Sequence, residues 1–182
     1  KGIARKASLE TAFSGNPWIS SFFASHTFEV DFVSAGNARK MVGILPDVYK
    51  DKTTIATAKV ELESADVALY GQRALTIADN YGKGWLAILL GKKIDPDVAI
   101  PEYILRAIAF AHPTVKKEVW FNVLDYRLKL LEDDLVTPPE QCNEFRKKLT
   151  AFRKGEIDFV GIRNEMLSAF PGDRINDVLK VF

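Results

Sequence analysis

The chain has 182 residues, 47% hydrophobic and 27% charged, a globular balance that excludes collagen-like, fibrous and disordered classes. Lys plus Arg number 25 and Asp plus Glu 24, a net charge of +1, which excludes a uniformly basic nucleic-acid coat but not a local basic patch. One cysteine (Cys142) and two histidines allow neither an internal disulfide nor a Cys/His zinc site, and they point to a reducing, cytoplasmic compartment.

No segment approaches the ~18 consecutive apolar residues of a membrane span, so no membrane partner is expected. The basic start Lys1-Gly2-Ile3-Ala4-Arg5-Lys6 is not followed by an apolar core and a small-residue cleavage site, so a signal peptide is not expected. Asn16-Pro17 reads as a helix start, with Asn16 as N-cap and Pro17 at the first helical position, and predicts a helix through Trp18, Ile19, Phe22 and Phe23. His26 to Val33 alternates and is rich in β-branched and aromatic residues, which predicts a strand. Phe28, Val30 and Phe32 would then face the core, and Thr27, Glu29, Asp31 and Val33 the other side.

Beyond Asn37 helical periodicity takes over. Helices are predicted from Asn37 to Leu45 (stopped by Pro46), from Thr53 to Glu63, and from Asp66 through Ala78 with Val67, Tyr70, Ala74 and Ile77 on one side. Tyr81-Gly82-Lys83-Gly84 breaks the pattern before a short apolar helix from Trp85 to Leu90. Asp95-Pro96-Asp97 is a turn, and Pro101 opens a helix that ends near His112-Pro113. Thr114 to Leu131 predicts a long amphipathic helix. Thr137-Pro138-Pro139-Glu140 supplies a capping pattern for the next, which Gly155 ends. Ile157 to Phe170 and Arg174 to Val181 complete the chain. The expected class is α/β, predominantly helical, with domains 1–113 and 114–182.

Three features could carry chemistry. On a strand, Glu29 and Asp31 at i and i+2 project from one face roughly 7 Å apart, a spacing suited to Mg²⁺ or Mn²⁺ and equally to the solvated face of an edge strand. Lys83 lies between two glycines at the start of an apolar helix, where backbone N–H groups and an ammonium favour a phosphate; a solvated turn gives the same letters. The run Arg146-Lys147-Lys148 with Arg153-Lys154 could meet nucleic-acid phosphates or form a solvated helix face. His26 and His112 read as polar element ends, and Cys142 carries no nucleophile signature.

The order of pieces adds a resemblance. Thr-Phe-Glu-Val-Asp-Phe is followed about fifty residues later by Gly-Lys-Gly-Trp-Leu-Ala-Ile-Leu-Leu, then by Ile-Pro-Glu-Tyr-Ile-Leu-Arg-Ala-Ile-Ala-Phe-Ala. This series resembles the C-terminal part of the OLD (overcoming lysogenization defect) family, ATP-dependent endonucleases that join an ABC-type ATPase domain to a Toprim nuclease domain. The likeness covers roughly Asn16 to His112. It implies the C-terminal part of a Toprim-like domain with few strands plus a helical extension. It further implies that Glu29 and Asp31 are metal-side carboxylates, that Lys83 is the lysine needed for cleavage, and that DNA is cut by two-metal hydrolysis with Mg²⁺ or Mn²⁺. No Walker A motif occurs, and Asp95-Pro96-Asp97 follows the Lys83 segment where a Toprim Asp-x-Asp would precede it. The resemblance therefore implies a piece of a longer enzyme, whose partners are DNA and an upstream ATPase and Toprim portion, and whose use of ATP rests on that portion. A homo-oligomer is compatible with it. Two other classes fit the residues: a non-catalytic helical interaction module, and a nucleic-acid-binding helical domain using the Arg146 to Lys154 face.

Overall fold

The computed structural model describes residues 2–134 and 137–182. They divide into two compact units, one up to Ala107 and the other Ile108–Phe182. Every regular element among the described residues is a helix, which overturns the α/β expectation and the few-stranded Toprim-like sheet with it.

The decisive segment is the one that alternates. Phe28–Phe32 forms a short helix, α2, running into a π-helical turn, Val33–Asn37. A lone strand needs a neighbour's backbone to bond its N–H and C=O groups, whereas a helix bonds its own; Asp31 N–H donates to the Thr27 carbonyl at 3.0 Å. The eight-residue run from His26 to Val33 is too short for its alternation to exclude a single helical turn. The helix buries Glu29, Val30, Asp31 and Phe32 together, so the two carboxylates lie inside with the apolar residues and not on an opposite, wet face.

In the first unit, α1 (Gly2–Phe13) precedes α2, a helix the sequence reading did not anticipate. The helix expected after Pro17 does not form. Asn16 Oδ1 accepts from the N–H groups of Trp18 and Ile19 at 2.8 and 3.1 Å, but the cap is spent on a turn with no helix behind it. After the π turn come α3 (Ala38–Val42) and α4 (Leu45–Val48), with Pro46 inside the first turn of α4 instead of stopping a helix. Asp51 and Asp66 cap α5 (Lys52–Leu62) and α6 (Val67–Tyr81), accepting from Thr54 and Ala68 N–H groups. Gly82, at φ 80°, lies between α6 and α7 (Lys83–Gly91), a backbone conformation glycine adopts without strain. Then α8 (Glu102–Ala111) crosses the division between the units. Phe32, Met41, Ile44, Leu62, Ile77 and Leu86 lie at the centre of this unit's core. Gly71 on α6 faces α2, where a Cβ would meet the Val30 side chain at 3.4 Å.

The second unit is built on α9 (Lys117–Asp133), α10 (Pro139–Lys154), α11 (Phe159–Ala169) and α12 (Ile175–Val181). Its core holds Leu124, Leu128, Phe145, Leu149, Phe152 and Ile162. Thr137 does not cap α10; the N-cap is Pro138, with no side-chain bond. Arg127 of α9 grips Asp173, its Nε at 3.0 and 2.9 Å from the two carboxylate oxygens and its Nη2 at 2.8 Å from Oδ2. No described helix is long and apolar enough to cross a membrane.

Candidate functional site

Because α2 is a helix, residues two apart point about 200° away from each other, so Glu29 and Asp31 do not form the paired carboxylate face that a strand would have given. Each meets a different partner. Glu29, 5% exposed, lies against Lys83 of α7, with Oε1 3.5 Å from Nζ. Its other oxygen, Oε2, is buried without a hydrogen-bond partner. Asp31, 8% exposed, turns back to the loop before α2, where it accepts from the Ser25 N–H at 2.9 Å and the His26 N–H at 3.2 Å. His26 Nδ1 lies 3.1 Å from Asp31 Oδ1. The fold thus joins Lys83 to Glu29 across a long stretch of chain, and gives Asp31 to His26.

Burial pushes the Glu29 carboxyl upward, but its own backbone N–H, the Thr27 hydroxyl and the Lys83 ammonium together outweigh burial and hold it below the usual value. The Lys83 side chain is 61% exposed, so solvent screens its share. A lowered carboxyl pKa means that the fold favours the ionised form. That contribution is complete above the usual carboxylate range and is lost as pH falls through and below it. The drop in Tm between about pH 7 and about pH 3 is therefore expected to be smaller in Glu29→Gln than in the natural chain, as thermal melts at the two pH values would show. Equal drops would remove this assignment.

Tyr103 on α8 feels the charge of both carboxylates. Burial first, then the negative charges of Asp31 and Glu29, raise its phenol pKa. Asn37 places this stretch of chain: its Nδ2 donates to the carbonyls of Phe32 at 2.9 Å and Ala99 at 2.7 Å, and its Oδ1 accepts from Ala99 N–H at 2.8 Å. Neither Tyr103 nor Asn37 was singled out from sequence. Asn37 stood at a predicted helix start, and its partner lies 62 residues away, so no local spacing announces it.

A cavity of about 690 Å³ opens on the His26 side, walled by His26, Asp31 and Tyr103, by Lys6 and Arg106 with Glu10 and Glu102 beside them, and by several serines; neither Glu29 nor Lys83 lines it. Among the described residues no three His, Cys, Asp or Glu side chains cluster as a metal-holding group. Glu29 Oε2 has unused acceptor capacity that fits one cation–oxygen bond. The Asp31 carboxylate already accepts from two backbone N–H groups and faces His26 Nδ1, and it fits a cation poorly.

The basic face of α10 is largely neutralised within its own unit. Arg146 pairs with Asp125 and Glu132, Lys147 with Glu144, Lys148 with Glu165, and Lys154 with Glu156. The Arg153 guanidinium lies 4.8 Å from the Phe121 ring centre. Such a face has little unpaired charge to offer nucleic-acid phosphates.

No family model, no curated protein and no solved structure matches the chain.

Proposed function

We propose that this chain is a helical part of an OLD-like, metal-dependent DNA endonuclease, contributing Lys83 and Glu29 to a phosphodiester-cleaving site whose remaining carboxylates lie elsewhere in the protein. The observation that carries the reading is the Lys83–Glu29 pair itself: an ammonium at the start of α7, 3.5 Å from a buried carboxylate with one unpartnered oxygen. Lys83 would hold a phosphate oxygen and offset the charge that builds on it in the transition state, helped by the N–H groups of the first turn of α7. Glu29 Oε2 would supply one oxygen ligand to Mg²⁺ or Mn²⁺. Such a cation, when bound, lowers the pKa of a water and stabilises the leaving oxygen. ATP would act through a domain outside this chain.

Two assays of plasmid nicking with Mg²⁺ or Mn²⁺ test this. The isolated 182-residue chain is expected to cleave weakly or not at all, and robust cleavage would refute the claim that ligands are missing. In the full-length protein, Lys83→Ala is expected to slow cleavage about 100-fold or more, the usual cost of removing one charge-stabilising donor. An unchanged rate would overturn the reading.

A further inference from the structure

On the face of α2 away from Lys83, His26 and Asp31 form an arrangement that the proposed chemistry does not use. An ionised carboxylate can only accept, so the geometry favours a proton on the His26 nitrogen 3.1 Å from Asp31 Oδ1, and in the neutral form of the ring Nε2 is then the acceptor. Asp31 cannot swing away cheaply, since the Ser25 and His26 N–H groups hold it from the loop. The imidazole is thereby fixed at the wall of the cavity with a defined tautomer, the condition for reading a ligand N–H or O–H.

The rest of the wall supplies complementary groups. Lys6 and Arg106 make long, exposed pairs within their own helices, to Glu10 at 3.8 Å and Glu102 at 3.7 Å, and the Lys6 ammonium also lies 5.4 Å from the Phe23 ring centre. Pairs of that kind hold weakly, so both cations can turn to an anionic ligand. Half-buried Phe22 and Phe23 give the cavity an aromatic side, and Ser20, Ser25 and Tyr103 add hydroxyls. The volume of about 690 Å³ lies within the range of small-molecule sites.

We propose that this cavity binds a single nucleotide, with its phosphate on Lys6 and Arg106, its base against Phe22 and Phe23, and its sugar hydroxyl donating to His26 Nε2. The ligand is a free nucleotide or the terminal nucleotide of a strand, and the strand form rests on the endonuclease reading above. Asp31 acts as a positioning residue, holding the imidazole for that contact.

Nitrogen-detected NMR of the imidazoles in the 182-residue chain at constant alkaline pH tests this, because only His26 and His112 contribute. His26 should show a protonated Nδ1 and an unprotonated Nε2. Thymidine 5′-monophosphate should shift the Nε2 signal and leave His112 unmoved. His26→Gln should weaken binding of that nucleotide about tenfold, and Asp31→Asn should abolish the tautomer preference where that variant folds. A protonated Nε2, an absent shift at millimolar nucleotide, or equal shifts with inorganic phosphate or the 3′-deoxy nucleotide would overturn the proposal. A thymidine dinucleotide separates the two readings through the Gly84 amide at the start of α7. If Gly84 moves and His26 does not, the nucleotide site falls and the endonuclease reading survives. If His26 moves with the mononucleotide and Lys83→Ala leaves the nicking rate of the full-length protein unchanged, the site stands for a free nucleotide and the endonuclease reading falls.

Discussion

Phe32→Ala is expected to destabilise the first unit by about 3–5 kcal/mol, and Phe28→Ala by less than about 1 kcal/mol. On a strand the two rings would share one buried face, and each truncation would cost the larger amount. On α2 they are also neighbours, with ring centres 5.8 Å apart, yet the core takes only one of them. Phe32 is 4% exposed and packs among the buried residues of this unit, while Phe28 is 46% exposed. Removing Phe32 leaves a hole that residues such as Met41 and Leu62, themselves fully buried, cannot fill without moving. Removing Phe28 takes away surface that is already half wet. Chemical denaturation of both variants decides the point, and comparable losses would restore the strand and reject α2.

Arg127→Ala is expected to cost the second unit about 3–5 kcal/mol, because it strands a buried carboxylate. Asp173 is almost wholly covered and would keep the Ile175 N–H, at 2.9 Å, after losing the guanidinium. The isolated mutation should therefore be worse than removing both charges. Arg127→Met combined with Asp173→Leu is expected to recover a large part of the loss, since two desolvated charges bring little net stability over apolar groups of similar size. Denaturant midpoints of the single and double variants test this. A double variant as weak as Arg127→Ala would mean that other contacts of these side chains, not the ion pair, set the cost.

Neither side chain of that pair stood out in the sequence, and the reason is general. Arg127 sat on the polar side of a periodic helix and Asp173 in a Gly-Asp turn, and their meeting depends on how α9 and the start of α12 pack. The same holds for Lys83 and Glu29. Their residue types suggest a phosphate and a cation, but the alternation suggests that Glu29 and Asp31 act as a pair. Once the segment winds into α2, the pair is split: Glu29 takes the lysine and Asp31 takes the histidine. His26 read as a polar strand end, because nothing in its neighbours' spacing shows that a carboxylate five residues on folds back to it.

Local physical chemistry determined much of this protein by itself. Asp51 and Asp66 can satisfy open N–H groups at helix starts, and the glycine between Tyr81 and Lys83 can take a positive φ, so interactions a few residues long placed the ends of α5, α6 and α7. Long periodic stretches announced α9 and α10 in the same way, because an apolar stripe repeated over several turns fits only one period. Tertiary structure alone decided the state of residues 28–37, the failure of Asn16 to start a helix, and which charged groups meet. In each of those cases the local pattern is compatible with more than one conformation. For residues 28–37 the helix goes with the burial of Phe32 and Val30 and with the bonds of Asn37 to Ala99, 62 residues on.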